Sequence, residues 1–159
     1  MKNRDEFFMG KAIELAKISA SEMEVPVGAV VVFNDEIISE GRNKREGNKN
    51  ALYHAEIEAI DLACKKLKNW RLCGCELFVT LEPCPMCAGA IINSRILRLV
   101  YGAKDLKSGA CGSVVNIFDF KFNHNPHLKG EVLEKECSGV LKDFFKEIRS
   151  NCTGTFKNN

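Results

Sequence analysis

The amino-acid sequence predicts an α/β domain of three layers, α/β/α, with helices on both faces of a mixed five-stranded sheet. Two observations carry that expectation. Segments with helical hydrophobic spacing alternate with short β-branched runs, an order satisfied by helices stacked on a sheet. The first two runs are separated only by Asn34-Asp35, which permits a hairpin and not a parallel crossover, so the sheet holds at least one antiparallel pair. With 159 residues, 45% of them hydrophobic, the chain can bury the core of one ordinary domain.

Each element has its own signal. Residues 5–20 place Phe8, Ala12, Leu15, Ala16 and Ile18 at helical spacing, a first helix. The run 27–33 is β-branched, and 36–41 returns from the turn as its hairpin partner. Residues 43–52 are polar and turn-rich, a loop. Residues 54–70 carry Ile57, Ile60, Ala63, Cys64 and Leu67 on one stripe, a second helix. Residues 76–81 read as a strand. Pro83 and Pro85 suit the first turn of a helix, which 86–94 continues. The small residues Ala88, Gly89 and Ala90 let that helix pack closely on a neighbour. Residues 96–102 are another strand, 103–113 a Gly/Ser loop, 130–135 a last strand, and 136–149 an amphipathic helix. Residues 1–150 are read as a single domain and 151–159 as a flexible tail that frays.

The formal charge of +2 permits an anionic partner without demanding one. Charges are scattered through the first residues, so the N-terminus does not read as a signal peptide. No apolar run approaches the length of a membrane span, and no membrane partner is expected. The expected location is cytoplasmic, where the eight cysteines stay reduced. Isolated cysteines then act as small buried hydrophobes, while closely spaced ones can bind metal.

Cys84 and Cys87 form a C-x-x-C at a strand-to-helix junction. Alone, that pair fits a thiol–disulfide couple as well as a metal site, because a helix N-terminus favours the thiolate both need. A structural zinc site needs four protein ligands, and Cys73-x-Cys75 has the wrong spacing for a second pair. His54-Ala55-Glu56 shifts the balance. One histidine and two cysteines make three ligands and leave a fourth position for water. A carboxylate two residues from the liganding histidine can stand beside that water as general base and then acid. Taken singly, His54 is as well explained as a capping residue and Glu56 as a solvated first-turn carboxylate.

His54-Ala55-Glu56 with 83–87, Pro-Cys-Pro-Met-Cys, resembles the H-x-E…P-C-x-x-C signature of the zinc-dependent cytidine and nucleobase deaminases. The stretches 24–32, 80–91, 94–96, 101–113, 122–124 and 141–145 are more specifically similar to the bacterial tRNA-specific adenosine deaminases, a likeness covering about residues 5–149. The resemblance implies a cytidine-deaminase-like fold with one Zn2+ per subunit on His54, Cys84 and Cys87. It implies that hydroxide attacks C6 of adenine while Glu56 protonates N1, and that loss of ammonia leaves inosine at the wobble position, 34, of the tRNA anticodon stem-loop. It also implies a homodimer.

The same resemblance suggests substrate contacts. Asn43, a donor and acceptor, would read a purine edge, or serve as an ordinary turn residue. The backbone at Ala29, beside Gly28, would approach the base, with Val27 and Leu81 as pocket walls or plain core. Asp105 would accept from a ribose 2′-hydroxyl or cap its loop. Lys104, Lys107 and Arg149 are candidate phosphate contacts. Phe144 and Phe145 are adjacent and cannot share one core stripe, so Phe145 is assigned to the RNA. Family members often carry Pro-Thr-Ala before the histidine; here Ala51-Leu52-Tyr53 departs from that pattern. The main alternative is a guanine or other free-nucleobase deaminase. Outside that chemistry stand an RNA-binding module with structural zinc and a redox protein.

Overall fold

The computed structural model describes residues 3–154. Eleven segments follow in order: α1 (Arg4–Ser21), β1 (Gly28–Phe33), β2 (Glu36–Arg42), a short α2 (Arg45–Asn48), α3 (Ala55–Leu67), β3 (Glu76–Leu81), α4 (Pro85–Asn93), β4 (Arg98–Ala103), a 3₁₀ turn at Ile117–Asp119, β5 (His127–Lys129) and α5 (Glu134–Gly154). The sheet order is β2-β1-β3-β4-β5. β1 pairs antiparallel with both β2 and β3, while β4 runs parallel to β3 and β5. The expected mixed five-stranded sheet is therefore present. Asn34 and Asp35 both have positive φ, 50° and 62°, as a two-residue hairpin turn requires.

Alternation along the strands builds two cores. Ala29, Val31, Leu77, Val79 and Leu99 face Ala55, Ala59, Ala63, Ala88 and Ile91 of α3 and α4. Val30, Val32, Phe78 and Val100 face Phe8, Met9, Ala12 and Ile13 of α1 and Cys137 of α5. Period-two strands thus feed one apolar row to each helical layer.

Two glycines set how closely the layers approach. A Cβ at Gly28 would lie 2.0 Å from the Ala12 carbonyl oxygen of α1, and one at Gly41 2.1 Å from the Ala55 carbonyl oxygen of α3. The missing bulk at Gly28 therefore serves helix packing. In α4 the expectation from small residues divides: Ala88 is buried, but a Cβ on Gly89 would meet nothing within 4 Å.

Several boundaries differ from expectation. In α1 the buried stripe is Phe8, Met9, Ala12, Ile13 and Ala16, while Ile18 is exposed, because the stripe follows 3.6 residues per turn away from it. The 43–52 loop contains α2. The second helix stops at Leu67, where Lys68 turns left-handed at φ 52° and closes it. The last strand is 127–129 rather than 130–135. Glu131 and Leu133 have positive φ, 64° and 51°, which breaks an extended run, and Gly130 lies against the Tyr101 ring. α5 continues past 149 to Gly154, beyond the expected start of the tail; residues 155–159 lie outside the described part. In the segment 94–102, Ile96, Leu99, Val100 and Tyr101 are buried and Leu97 is exposed, so it is mostly core.

Candidate active site

The chain brings its chemistry to the C-terminal ends of the parallel strands, where α3 and α4 begin. His54 is the N-cap of α3 and Cys84 the N-cap of α4, both extended in backbone, with Pro85 opening α4. Cys87 follows in the first turn of α4. The positive ends of two helix dipoles thus meet at the same sulfur atoms, which favours thiolate.

The ligand atoms converge. His54 Nδ1 lies 3.7 Å from Cys84 Sγ and 3.5 Å from Cys87 Sγ. All three lie within 4.8 Å of one another. A tetrahedral ion with bonds of about 2.3 Å to sulfur and 2.0–2.1 Å to nitrogen sets nitrogen–sulfur edges of roughly 3.5–3.6 Å, so the donor set fits zinc. Before metal binds, one of the two thiols, Cys84, is already set up as a thiolate, and the protons on Cys87 and His54 are the ones metal binding would release. The Cys84 thiol is drawn down to about 4, first by the Cys87 S–H that bonds it and then by His54. Cys87 is pushed up, because it is the hydrogen-bond donor to that thiolate and is buried. His54 is raised by its bond to Cys84.

Glu56 stands beside this group and is buried. Burial pushes its carboxyl up to about 7, so proton uptake and release lie near neutrality.

A cavity of about 160 Å³ opens on these groups. Its wall includes Val27, Asn43, Leu81 and Asp105 together with His54, Glu56 and Cys84. Asn43 is buried. Its Nδ2 donates to the Val25 carbonyl at 3.1 Å, while its Oδ1 has no hydrogen-bond partner. An orphaned buried acceptor is costly unless a ligand satisfies it. Asp105 accepts from the backbone N–H of Lys107 and Ser108 at 3.0 and 3.2 Å and from the Ser108 hydroxyl at 2.7 Å, so its carboxylate also organises the turn beneath it.

Other expected contacts lie elsewhere. Ala29 is fully buried within β1 and paired with Gly41 and Val79; it does not line the cavity. Phe144 is buried and Phe145 exposed on α5, their rings meeting edge-on at 5.4 Å, away from the cavity wall. Arg149 is exposed on the same helix and is not on the wall. Lys104 pairs with Glu131 at 2.7 Å. Tyr53 is partly exposed and off the wall; its carbonyl accepts from the Lys44 N–H at 3.1 Å. Cys75, Cys111 and Cys137 are buried small residues whose thiols burial raises to about 11, 12 and 12.

Sequence reasoning missed Glu82, which is 2% exposed. Its carboxylate accepts from the N–H groups of Asp105, Cys111 and Ser113 at 2.9, 3.0 and 3.1 Å, and from the Ser113 hydroxyl. Burial opposes its charge, yet these donors hold it below the ordinary carboxylate range. Glu82 therefore pins the loop that carries Asp105 and Ser108. The available signal was a carboxylate directly after an apolar strand, followed by proline. Val25, Arg45 and Ser108 are further wall residues that the sequence did not single out.

Five-stranded sheet, paired helix N-termini and a His/Cys/Cys cluster beside a buried glutamate define a deaminase. The chain belongs to the MafB19-like deaminase family, whose model matches residues 2–149. Among its relatives it is similar to the tRNA-specific adenosine deaminase of Bacillus subtilis strain 168, 47% identical over 156 residues that cover 98% of this chain and 97% of that protein. A solved structure from work on A-to-I editing by tRNA:A34 deaminases at the wobble position of transfer RNA superposes with a TM-score of 0.83 at 40% identity, covering 85% of this chain and 99% of that one. A guanine deaminase from Nitrosomonas europaea gives a TM-score of 0.77 at 26% identity, over 87% of this chain and 83% of that one. The fold is the cytidine-deaminase-like one.

Proposed function

We propose that this chain is a zinc-dependent aminohydrolase that converts the wobble adenosine, position 34 of a tRNA anticodon loop, to inosine. The observation that carries the substrate is the near-full-length identity to tRNA-specific adenosine deaminases, 47% over 98% of the chain. What supports the reaction class is the convergence of His54, Cys84 and Cys87 beside buried Glu56.

His54 Nδ1, Cys84 Sγ and Cys87 Sγ hold one zinc ion per subunit. When bound, zinc supplies the Lewis acidity that lowers the pKa of a water from about 15.7 to roughly 7. Glu56 takes one proton of the attacking water and delivers it to N1 of the adenine, then takes the second from the hydroxyl formed at C6 and delivers it to the 6-amino group, so that the C6–N bond breaks, ammonia leaves and C6=O forms. Burial raises its pKa, which favours its holding a proton between the two transfers. Asn43 Oδ1 accepts from the 6-amino group, the N–H donor that the adenine base offers, which satisfies the orphaned acceptor. Val27 and Leu81 flank the ring, and Asp105 meets the ribose 2′-hydroxyl. The anticodon loop offers a base already free of pairing, so extrusion costs little. Ala29 acts through packing of β1, while Phe145 and Arg149 on α5 remain RNA contacts beyond the cavity. Residues 1–150 constitute the deaminase domain. It works as a homodimer, for which the exposed Val114, Val115, Phe120 and Phe122 offer apolar surface; light scattering at micromolar concentration tests this.

The likeness to guanine deaminase favours a second reading, hydrolysis of a free base. Steady-state assays with an anticodon stem-loop, guanine, cytosine and cytidine separate the two. Inosine in the stem-loop is expected; turnover of a free base with none of the RNA refutes the proposal.

A further inference from the structure

Among the described residues, Arg45 is the only arginine or lysine on the cavity wall. Its neighbours are spent: the Arg42 guanidinium bonds Glu22 and the Lys44 ammonium bonds Glu58. Arg45 itself has no ion pair among the described residues. The wall's acidic groups are committed as well, since Glu82 serves the 105–113 loop, Asp105 serves its own turn, and Glu56 is buried beside the ligands. An unpaired guanidinium therefore stands at the mouth of a cavity.

Its platform is built rather than loose. The Glu24 carboxylate accepts from the N–H groups of Glu46 and Gly47 at 3.2 and 2.6 Å. The Arg45 carbonyl accepts from the Asn50 N–H at 3.1 Å, and the Lys44 N–H donates to the Tyr53 carbonyl at 3.1 Å. Glu24 is buried, so the charge that seats this segment lies beneath it. Asn43, two residues back, presents its orphaned acceptor to the same cavity. One short segment thus offers an acceptor for a base edge and a fixed cation.

A free base carries no anion to meet that cation. A nucleotide within RNA carries a phosphodiester on each side, and a guanidinium matches two of its oxygens in one plane. We propose that Arg45 binds a phosphodiester adjacent to the target adenosine and so makes this cavity select a nucleotide embedded in RNA over a free base. The assignment deepens the RNA reading above and rests on it.

The test compares the wild-type protein with Arg45→Gln and Arg45→Lys on an anticodon stem-loop. Each linkage flanking the target is replaced in turn by an uncharged methylphosphonate. Arg45→Gln is expected to raise KM about 10-fold, the scale of one charge-assisted hydrogen bond, with kcat held. It should lower the slope of log(kcat/KM) against log salt by about 0.7, one single-strand phosphate contact. Arg45→Lys should restore part of the loss. At one linkage, the methylphosphonate and Arg45→Gln should together cost no more than either alone. An unchanged KM and salt slope, or losses that multiply at every linkage, would overturn the proposal. Failure of the wild-type protein to form inosine in any stem-loop would sink the RNA reading and this assignment with it. A circular dichroism spectrum and zinc content equal to wild type verify that the variants are folded.

Discussion

Glu82→Gln gives a stringent measure of how the 104–113 loop is held. In the native protein Oε1 accepts from the Cys111 and Ser113 N–H groups, and Oε2 from the Asp105 N–H and the Ser113 hydroxyl. A glutamine retains one oxygen. Its cheapest placement puts the oxygen at the two N–H donors of Cys111 and Ser113 and the amide NH2 at the other site. The Ser113 hydroxyl can rotate to accept from that NH2, but the Asp105 N–H cannot. One charged hydrogen bond is lost and one buried N–H is left facing a donor, a cost of about 2–4 kcal/mol. Against a slope of about 2 kcal/mol per molar urea, the unfolding midpoint should fall by roughly 1–2 M. Amide exchange should accelerate at Asp105 more than at Cys111 or Ser113. Glu82→Ala, which strands all three N–H groups, should cost more and release the loop. A glutamine variant whose midpoint lies within about 0.2 M of wild type, with Asp105 protection unchanged, would refute the latch.

Four further outcomes follow from the same geometry. Glu56→Ala should bind one zinc per chain and fold, yet lose turnover by about two to four orders of magnitude; full activity would remove Glu56 from the mechanism. Cys87→Ala should lose stoichiometric zinc and stability together, because metal binding is linked to folding; unchanged zinc in elemental analysis would mean another residue is the ligand. Asp5 is nearly buried and bonded by Arg98 at 2.8 and 2.7 Å and by Lys129 at 2.6 Å, which hold its carboxyl well below the usual range. Its folded pKa thus lies below the unfolded value of about 3.9, so its stabilisation is present above that pH and lost as pH falls through the acid range; the midpoint gap between wild type and Asp5→Asn should shrink on acidification, and a gap independent of pH would refute the pairing. Gly41→Ala places a Cβ 2.1 Å from the Ala55 carbonyl oxygen, one residue from His54; overpacking should cost about 1–3 kcal/mol and weaken zinc retention, and a variant with native zinc affinity would show that α3 shifts freely.

The readable and unreadable parts of this chain divide by the range of the interactions. The hairpin was legible because Asn34-Asp35 and two apolar runs are contiguous. The clustering of His54, Cys84 and Cys87 was legible because metal binding constrains residue type as well as spacing, so the three stand out although the histidine lies 30 and 33 residues from the cysteines. The strand placed at 130–135 failed because its apolar pattern is local and does not report backbone angle, while Glu131 and Leu133, just before α5, are left-handed and end any extended run. Glu82 was missed for the same reason: its donors lie 23 to 31 residues ahead, and its one local signal, a carboxylate between an apolar strand and a proline, does not name them.

This division also assigns chemistry and selectivity to different layers of the molecule. The ligands and Glu56 sit where two helices start, and those helices are seated on the sheet by contacts with no slack. At Gly41 even a methyl group would collide with α3. Reaction class is therefore a property of the scaffold, and it is shared with a guanine deaminase at 26% identity. Selectivity must come from what the scaffold leaves free at the rim. Asn43 and Arg45 arrive on a segment seated by Glu24, and Asp105 and Ser108 on a loop seated by Glu82. Each rim segment is thus held by a buried carboxylate that serves chiefly backbone N–H groups, while Asn43 and Asp105 also bond the fold through their own side chains and Arg45 has no ion pair among the described residues. Such a rim can change Arg45, and with it the substrate preference, without moving His54, Cys84 or Cys87, because the bonds from Glu24 and Glu82 that anchor it run chiefly to main chain.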